Sequence, residues 1–240
     1  MPMPYSHYVL AQAVAQQGNL RLESKSNYYI GAFYPDIRYF TGLPRERYHF
    51  PVERLEPYET DPTVSSDFLL GYRVHLLIDE IWEYPEVKRA YYDAFPKLIR
   101  KRMTRGLQAL AFELYCLRHP VEVVPLKPVE NRLTHDLEVT TSANEQAVQS
   151  MARYLEQHDL AAALEMAKAA NLFPEQRLQT VERVVKLMGN SLIRTIVNRV
   201  TARASRPIFQ RVMQMTLGRL ESEQTATQQP KAQKVSLETR

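Results

Sequence analysis

The sequence predicts an all-α protein built as a multi-helix bundle, and three observations lead to this prediction. Long stretches are rich in Ala, Leu, Glu, Gln, Lys and Arg, which have high helix propensity. Only 7 of the 240 residues are glycine, which argues against an all-β fold with many tight turns. The 15 prolines cluster where helices would begin or break. The hydrophobic content of 45% is sufficient for a substantial core.

The first 62 residues are predicted to form two short helices followed by a long loop. A helix over residues 7–17 is expected after Ser6, which is a suitable N-cap. A second helix is expected over residues 27–34, where Pro35 stops it. Residues 36–62 contain four more prolines among several aromatic residues. Because a loop of this length in a compact domain is usually functional or disordered, the aromatic residues favour an ordered, functional loop.

The remaining chain is predicted to be helical except for a connector and a tail. A helix from Ser65 or Ser66 to about Tyr84 ends at Pro85, and the next helix continues to about residue 118, with a possible kink at Pro96. Four further helices are expected in the C-terminal half, over residues 144–157, 159–171, 175–203 and 206–222, with Met188-Gly189-Asn190 as a candidate division of the third. The tail is polar and almost without apolar residues, which predicts disorder.

Composition restricts the compartment and the possible partners. A single cysteine, Cys116, excludes an intramolecular disulfide and favours a reducing compartment. It follows the apolar run 109–115 and is interpreted as a small buried hydrophobic residue, not a nucleophile. No segment resembles a signal peptide and no apolar run reaches membrane-spanning length, so a cytoplasmic location is predicted. The net charge of +4 permits an anionic partner without requiring one.

The predicted helix over residues 65–84 carries the strongest chemical signal. On a helical wheel, His75 and Asp79 lie one turn apart on a stripe shared with large aromatic residues. Burying a carboxylate without a partner is costly, and a divalent cation bound by both side chains would compensate for it. The alternative is a His–Asp hydrogen bond that only stabilises the helix core.

Three further candidate ligands lie upstream of this helix. The chain contains only 6 histidines, and three of them lie within the first 75 residues in aromatic or apolar surroundings. His7 lies on the apolar face of the first predicted helix, Asp36 directly follows Pro35, and His49 lies between two aromatic residues. Each of these residues alone is compatible with a structural role, and their joint order predicts a metal site.

These residues belong to four short motifs: Ser6-His7, the run Gly-Ala-Phe-Tyr-Pro-Asp at 31–36, Tyr-His-Phe at 48–50, and His75-x-x-x-Asp79. Their order resembles that of the zinc-dependent phospholipase C family. This family includes the N-terminal domain of glycosylphosphatidylinositol-specific phospholipase D, and single-strand nucleases are more distant relatives. The resemblance covers residues 4–84, about a third of the chain.

The resemblance implies a helical bundle of the phospholipase C and single-strand nuclease type. It implies that Asp79 bridges two metal ions, that Asp36, His49 and His75 complete one site, and that His7 belongs to the second. The family site also uses downstream histidines and a carboxylate, generally on a His-x-x-x-Glu helix, and this chain has no such motif. Two replacements are possible, Glu83 or the pair His119 and Glu122. One or two ions are therefore expected, with zinc first and manganese or iron as alternatives.

The predicted function is metal-dependent hydrolysis of a phosphoester, as in a phospholipase C-like phosphodiesterase. Asp79, Arg38 and Arg45 are the predicted catalytic residues, and the two arginines, together with Arg47, are expected to bind phosphate oxygens. The alternative is a non-catalytic binding or scaffold protein with a structural or degenerate metal site. Its contact surface would be the basic C-terminal helices, for which anionic lipid and nucleic acid are both candidate partners.

The predicted elements divide the chain into four regions. These are a metal-site helical region at 1–122, a connector at 123–143, a C-terminal helical region at 144–222 and a disordered tail at 223–240. The C-terminal helical region is expected to pack on or beside the first. The sequence does not indicate an oligomeric state.

Overall fold

A computed structural model describes residues 3–101, 103–169 and 175–228, and all regular secondary structure in these ranges is helical. This confirms the all-α prediction. Two 3₁₀ segments, Tyr34–Ile37 and Val52–Tyr58, lie in the first third of the chain. The α-helices are α1 Pro4–Gln17, α2 Lys25–Phe33, α3 Arg38–Thr41, α4 Arg45–Tyr48, α5 Ser66–Glu83, α6 Pro85–Ala94, α7 Lys97–Arg100, α8 Arg105–Cys116, α9 Arg132–Asp136, α10 Thr141–Gln157, α11 Leu160–Ala169, α12 Glu175–Met188 and α13 Ser191–Gln228.

Helix α1 begins earlier than the sequence predicts, and the expected N-cap role of Ser6 is wrong. Pro4 occupies the first turn, where its fixed φ angle suits a helix start. The N-terminus is capped from another helix, because the Glu113 carboxylate of α8 accepts hydrogen bonds from the backbone N–H groups of Tyr5 (3.3 Å) and Ser6 (2.9 Å). Such a tertiary cap leaves no local signal in the sequence around α1.

The segment over residues 36–62 is ordered, but it contains more regular structure than predicted. Helices α3 and α4 and the second 3₁₀ segment divide it into short turns. Pro44 and Pro51 stand immediately before two of these turns, at positions where a missing N–H costs nothing. Tyr48 and Leu55 are fully buried, which fastens the segment to the core.

The predicted helix from Pro85 to residue 118 is divided into α6, α7 and α8. Pro96 has extended backbone geometry and separates the first two. The predicted connector also contains a helix, α9, which begins with a reciprocal capping box between Asn131 and Thr134. Cys116, at the end of α8, is fully buried, in agreement with its interpretation as a small hydrophobic residue.

Helix α13 is continuous where a break was predicted between residues 203 and 206. It contains Pro207, and contacts with other helices flank this residue, through Ser205 to Tyr91 of α6 and through Arg219 to Glu80 of α5. It continues to Gln228, past the predicted end at residue 222, while residues 229–240 of the predicted tail lie outside the described residues. Neither this helix nor any other described helix has the length and apolar character needed to cross a membrane.

Helix α5 lies at the centre of the fold, with 13 of its 18 residues buried. Helix α2 crosses it so closely that a Cβ atom at Gly31 would overlap the Phe68 carbonyl, and one at Gly71 would overlap the Tyr28 carbonyl. Only glycine permits this approach of the two backbones. Helices α1, α6 and α13 also pack against α5, so the C-terminal region covers the N-terminal one.

Candidate metal centre

Five of the six predicted metal ligands lie together beside α5. His7 comes from α1, Asp36 from the first 3₁₀ segment, His49 directly follows α4, and His75 and Asp79 come from α5. Their side chains are almost completely buried, with exposed fractions between 0% and 4%. We call this group the ligand cluster. The convergence predicted from the sequence is therefore present in the fold.

Asp79 contacts all three histidines of the ligand cluster. Its Oδ1 atom lies 3.2 Å from His7 Nε2, and its Oδ2 atom lies 3.2 Å from His49 Nε2 and 3.9 Å from His75 Nε2. Arg45 donates a hydrogen bond of 2.6 Å to the same Oδ2 atom. A single carboxylate thus faces three imidazoles and one guanidinium.

Asp36 closes the opposite side of the ligand cluster. Its Oδ2 atom lies 3.4 Å from His7 Nδ1, and its Oδ1 atom lies 4.0 Å from His49 Nε2. Asp36 Oδ2 and His7 Nδ1 are both buried, and apart from this contact with each other neither has a hydrogen-bond partner among the described residues. Such incomplete pairing of buried polar atoms is compatible with a further ligand such as a cation.

His75 is oriented by the backbone of α2. Its Nδ1–H group donates a hydrogen bond of 2.7 Å to the Ala32 carbonyl, which can only accept. The lone pair of Nε2 therefore faces the ligand cluster, 3.2 Å from His49 Nε2. Metal-binding histidines typically donate their other ring N–H in this way. The ring also stacks on His7, with centroids 3.8 Å apart and an interplanar angle of 15°.

His7 and His75 differ sharply in pKa. Burial lowers the pKa of His75 to about 3, so this ring is neutral at physiological pH. Burial also acts to lower the pKa of His7, but its contacts with Asp36 and Asp79 outweigh this effect and raise the pKa to about 9. Burial raises the pKa of both carboxyls, but contacts with histidines prevail and hold it below the ordinary value, in Asp79 far below it. The ligand cluster thus combines two anionic carboxylates with a neutral imidazole.

Two overlapping groups of three could each hold an ion. His7, His75 and Asp79 form one group, and Asp36, His49 and His75 form the other, with the donor atoms of each within 4.8 Å of one another. Mixed nitrogen and carboxylate ligands suit zinc. Because the Nδ1 atom of His75 is occupied by the Ala32 carbonyl, His75 has one free nitrogen and can serve only one ion at a time.

The structure places Glu83 outside the ligand cluster, contrary to its predicted role as a ligand. Glu83 is the last residue of α5, and its side chain is 51% exposed and paired with Lys88. One helical turn beyond Asp79, α5 has reached the surface. The alternative pair also lies elsewhere, because His119 donates to the Tyr115 carbonyl (3.2 Å) and Glu122 pairs with Lys25 (2.8 Å).

The three predicted phosphate-binding arginines have different surroundings. Arg45 contacts the ligand cluster directly through Asp79. Arg38 instead lies over the ring of Tyr39, 3.8 Å from its centroid, and donates to its hydroxyl. Arg47 donates to the Leu137 carbonyl at 3.2 Å and pairs with Glu138. Only Arg45 is thus in direct contact with a predicted ligand in the described part of the chain.

A cleft of ≈ 410 Å³ connects the ligand cluster to solvent. His49 and Asp79 lie at its floor, Phe50 and Leu76 provide apolar walls, and Arg45 lies at its edge. Its volume is in the range typical of small-molecule sites.

Arg219, which the sequence patterns do not single out, lines the same cleft from α13. It donates hydrogen bonds to Glu80 (3.0 Å) and to the Tyr84 hydroxyl (3.3 Å) at the end of α5. In the sequence it is one of many basic residues in a helical stretch, and its distance from α5 along the chain hides the contact.

No protein-family model matches the chain, and no curated protein or solved structure is significantly similar to it. The likeness to zinc-dependent phospholipases C therefore depends on the motifs within residues 4–84. It stays a prediction, as does the specific type of helical bundle.

Proposed function

We propose that this chain is a metal-dependent phosphoester hydrolase, similar to phospholipase C-like phosphodiesterases and built on a bundle of that type. The convergence of the five ligand side chains beside an open cleft carries the proposal. The five side chains come from four separate segments of the chain. If His75 and Asp79 only formed a hydrogen bond that stabilises α5, the other three side chains would not need to meet them. Two buried carboxylates together with a neutral imidazole form a donor set suited to a divalent cation.

The ligand cluster would hold one or two zinc ions, with manganese or iron as alternatives. When bound, zinc would lower the pKa of a water molecule to near 7 and would neutralise a phosphoryl oxygen. The Ala32 carbonyl presents the His75 lone pair to the site without any change of tautomer. Asp36 and Asp79, already ionised at neutral pH, need lose no proton to act as ligands.

Arg45 would bind the phosphate of the substrate. One of its nitrogens is engaged by Asp79, while its side chain is 36% exposed at the edge of the cleft. The planar guanidinium can therefore contact a phosphate oxygen without leaving Asp79. Phe50 and Leu76 would contact an apolar part of the substrate and exclude water from it. These features favour a phosphate ester that carries an apolar group.

Metal analysis and turnover of bis-(p-nitrophenyl) phosphate test the proposal. Protein purified without chelator should contain stoichiometric zinc and hydrolyse this substrate, and Asp79→Asn should lose both properties. Asp136→Asn is the matched control, because Asp136 contacts Tyr58 and Arg132 on the exposed surface. It should retain metal and activity.

A second candidate function has one observation in its favour. His7, with a pKa of about 9, lies between Asp36 and Asp79, so a protonated His7 together with Arg45 can balance both carboxylates without a metal. The ligand cluster would then be structural, and the chain would be a helical binding or scaffold protein. A metal-free protein whose stability does not change in chelator would support this candidate and exclude the hydrolase.

A further inference from the structure

An exposed apolar patch lies far from the ligand cluster, on α7 and the first half of α13. It consists of Leu98, Ile99, Leu192 and Ile196, whose exposed fractions are 87%, 37%, 68% and 54%. Single exposed aliphatic side chains are common, whereas a contiguous exposed group of them is typical of a contact surface. We call these four residues the apolar patch.

The two helices form one continuous surface. Ile99 and Ile196 both line a groove of ≈ 240 Å³, and Met103 and Val200 lie in the same groove. Leu192 precedes Ile196 by one helical turn and therefore points to the same side of α13. The apolar patch thus joins parts of the chain that are almost one hundred residues apart in sequence.

The surroundings of the apolar patch are basic. Residues 94–112 contain five Lys or Arg and no acidic residue, and residues 183–220 contain eight Lys or Arg and no acidic residue. Lys97 and Lys101 are exposed beside Leu98, and helical spacing places Arg199 and Arg203 on the side of Ile196. No acidic side chain among the described residues pairs with any of these four cations, whereas the neighbouring Arg100 pairs with Asp93 (2.9 Å).

We infer that the apolar patch docks the protein on an anionic lipid surface. Aliphatic side chains that project from a basic surface match a membrane interface, where hydrocarbon receives the side chains and acidic headgroups face the cations. Nucleic acid would satisfy the cations but would leave Leu98 and Leu192 in water. A second copy of the chain would cover the aliphatic side chains but would bring like charges together.

This docking is independent of the proposed hydrolysis. Ile196 of the apolar patch and Arg219 of the cleft lie on the same continuous helix, at positions roughly 35 Å apart at the rise of an α-helix. The contact therefore anchors the protein and does not place a membrane lipid directly in the cleft. Binding is expected with metal-loaded and metal-free protein alike, so its failure can be distinguished from failure of the hydrolase proposal.

Vesicle co-flotation of the full chain tests the inference. Phosphatidylcholine vesicles that contain phosphatidylglycerol should bind the protein, and pure phosphatidylcholine vesicles should bind it much less. Binding should weaken as salt is raised, because surface charges are screened. Failure to bind the phosphatidylglycerol vesicles would overturn the inference.

Two substitutions address the two parts of the contact. Leu98→Asp should lower the partition coefficient roughly tenfold or more, because it removes the aliphatic side chain and adds repulsion. Lys101→Glu should lower it several-fold and reduce its salt dependence. Val123→Asp and Lys127→Glu, in the exposed connector on the side of α1 and α2, make the same changes of charge and should bind like the wild type.

Three results would contradict the inference. The first is an equal loss of binding in the control variants, which would indicate only a response to net charge. The second is a dimer in light scattering that Leu98→Asp dissociates, which would assign the patch to self-association. The third is a pair of observations: Leu98→Asp leaves vesicle binding unchanged, and Lys101→Glu abolishes binding of the protein to nucleic acid. This result would assign the basic surface to nucleic acid. Circular dichroism should show unchanged folding in every variant, because all four positions are exposed.

Discussion

At the residue scale, Asp79 connects the structural and chemical properties of the ligand cluster. Its position four residues after His75 follows from helical periodicity and was predictable from the sequence alone. Its contacts with His49 and His7 hold its pKa well below the ordinary value despite burial, and Arg45 donates a hydrogen bond to the same carboxylate. An ionised carboxylate in this environment is suited to bind a cation and to orient an arginine at the mouth of the cleft.

Arg45 is the residue through which substrate binding can be tested separately from metal binding. Lys keeps the charge but lacks the planar guanidinium that can contact Asp79 and a phosphate together. Arg45→Lys should therefore lower kcat/KM for bis-(p-nitrophenyl) phosphate by roughly 10- to 100-fold, with metal content unchanged. Arg47→Lys is the control, because Arg47 contacts Leu137 and Glu138. Equal losses in both variants would contradict the role assigned to Arg45.

At the scale of elements, the crossing of α2 and α5 positions His75. Gly31 and Gly71 let the two backbones meet, and this approach brings the Ala32 carbonyl to His75 Nδ1. The sequence predicts both helices, but the contact between them does not follow from either pattern. A glycine inside a helix was the only local sign of the crossing, since glycine there is otherwise unfavourable.

Gly71→Ala should separate these helices and disturb the ligand cluster. The new Cβ would overlap the Tyr28 carbonyl, so we expect a loss of about 1–3 kcal/mol in the free energy of unfolding, together with weaker zinc binding. Gly106→Ala in α8 is the control, because no atom of the described residues outside its own stretch of helix lies within 4 Å of the new Cβ. That variant should be unchanged or more stable by up to about 1 kcal/mol. Urea unfolding and zinc titration of both variants provide the comparison.

Glu113 positions α1 and hence His7. Its buried carboxylate accepts hydrogen bonds from the backbone of Tyr5 and Ser6 and from the Tyr154 hydroxyl (2.8 Å). Glu113→Ala would leave these donors unpaired, so we expect a loss of about 1–3 kcal/mol in the free energy of unfolding.

Because α1 carries His7, Glu113→Ala should also weaken zinc binding, measured by competition with a chromophoric chelator. Glu122→Ala is the control, because the exposed Glu122 side chain forms an ion pair with Lys25 alone among the described residues. This variant should change the free energy of unfolding by less than about 0.5 kcal/mol. Normal zinc affinity in folded Glu113→Ala protein would show that the carboxylate supports the fold without positioning His7.

At the scale of the whole molecule, the metal-free protein should be most stable near neutral pH. The folded-state pKa of His75 is lowered from 6.5 to about 3, so below pH 6.5 the unfolded chain binds a proton that the folded chain does not. The stabilisation from the ionised Asp36 and Asp79 is also lost as the pH falls, because their pKa values are lowered. His7 has the opposite effect, since its pKa is raised to about 9 and its stabilisation is lost as the pH rises from 6.5 through 9.

Urea midpoints measured in chelator across this pH range would check the prediction. With zinc bound, the alkaline decline should disappear, because a metal-ligating His7 must already be deprotonated. His7→Gln should remove the alkaline decline from the metal-free protein. An alkaline decline that persists in His7→Gln would assign it to another group.

The sequence by itself determined the helical class, the bounds of α5 between a serine and Pro85, and the adjacency of His75 and Asp79. All of these depend on local propensity or on the 3.6-residue period of one helix. Only the tertiary structure decided that Glu83 lies outside the ligand cluster, that Glu113 caps α1, and that Arg219 reaches the cleft. These contacts join elements distant along the chain, and they depend on helix crossings and side-chain packing that no local pattern encodes.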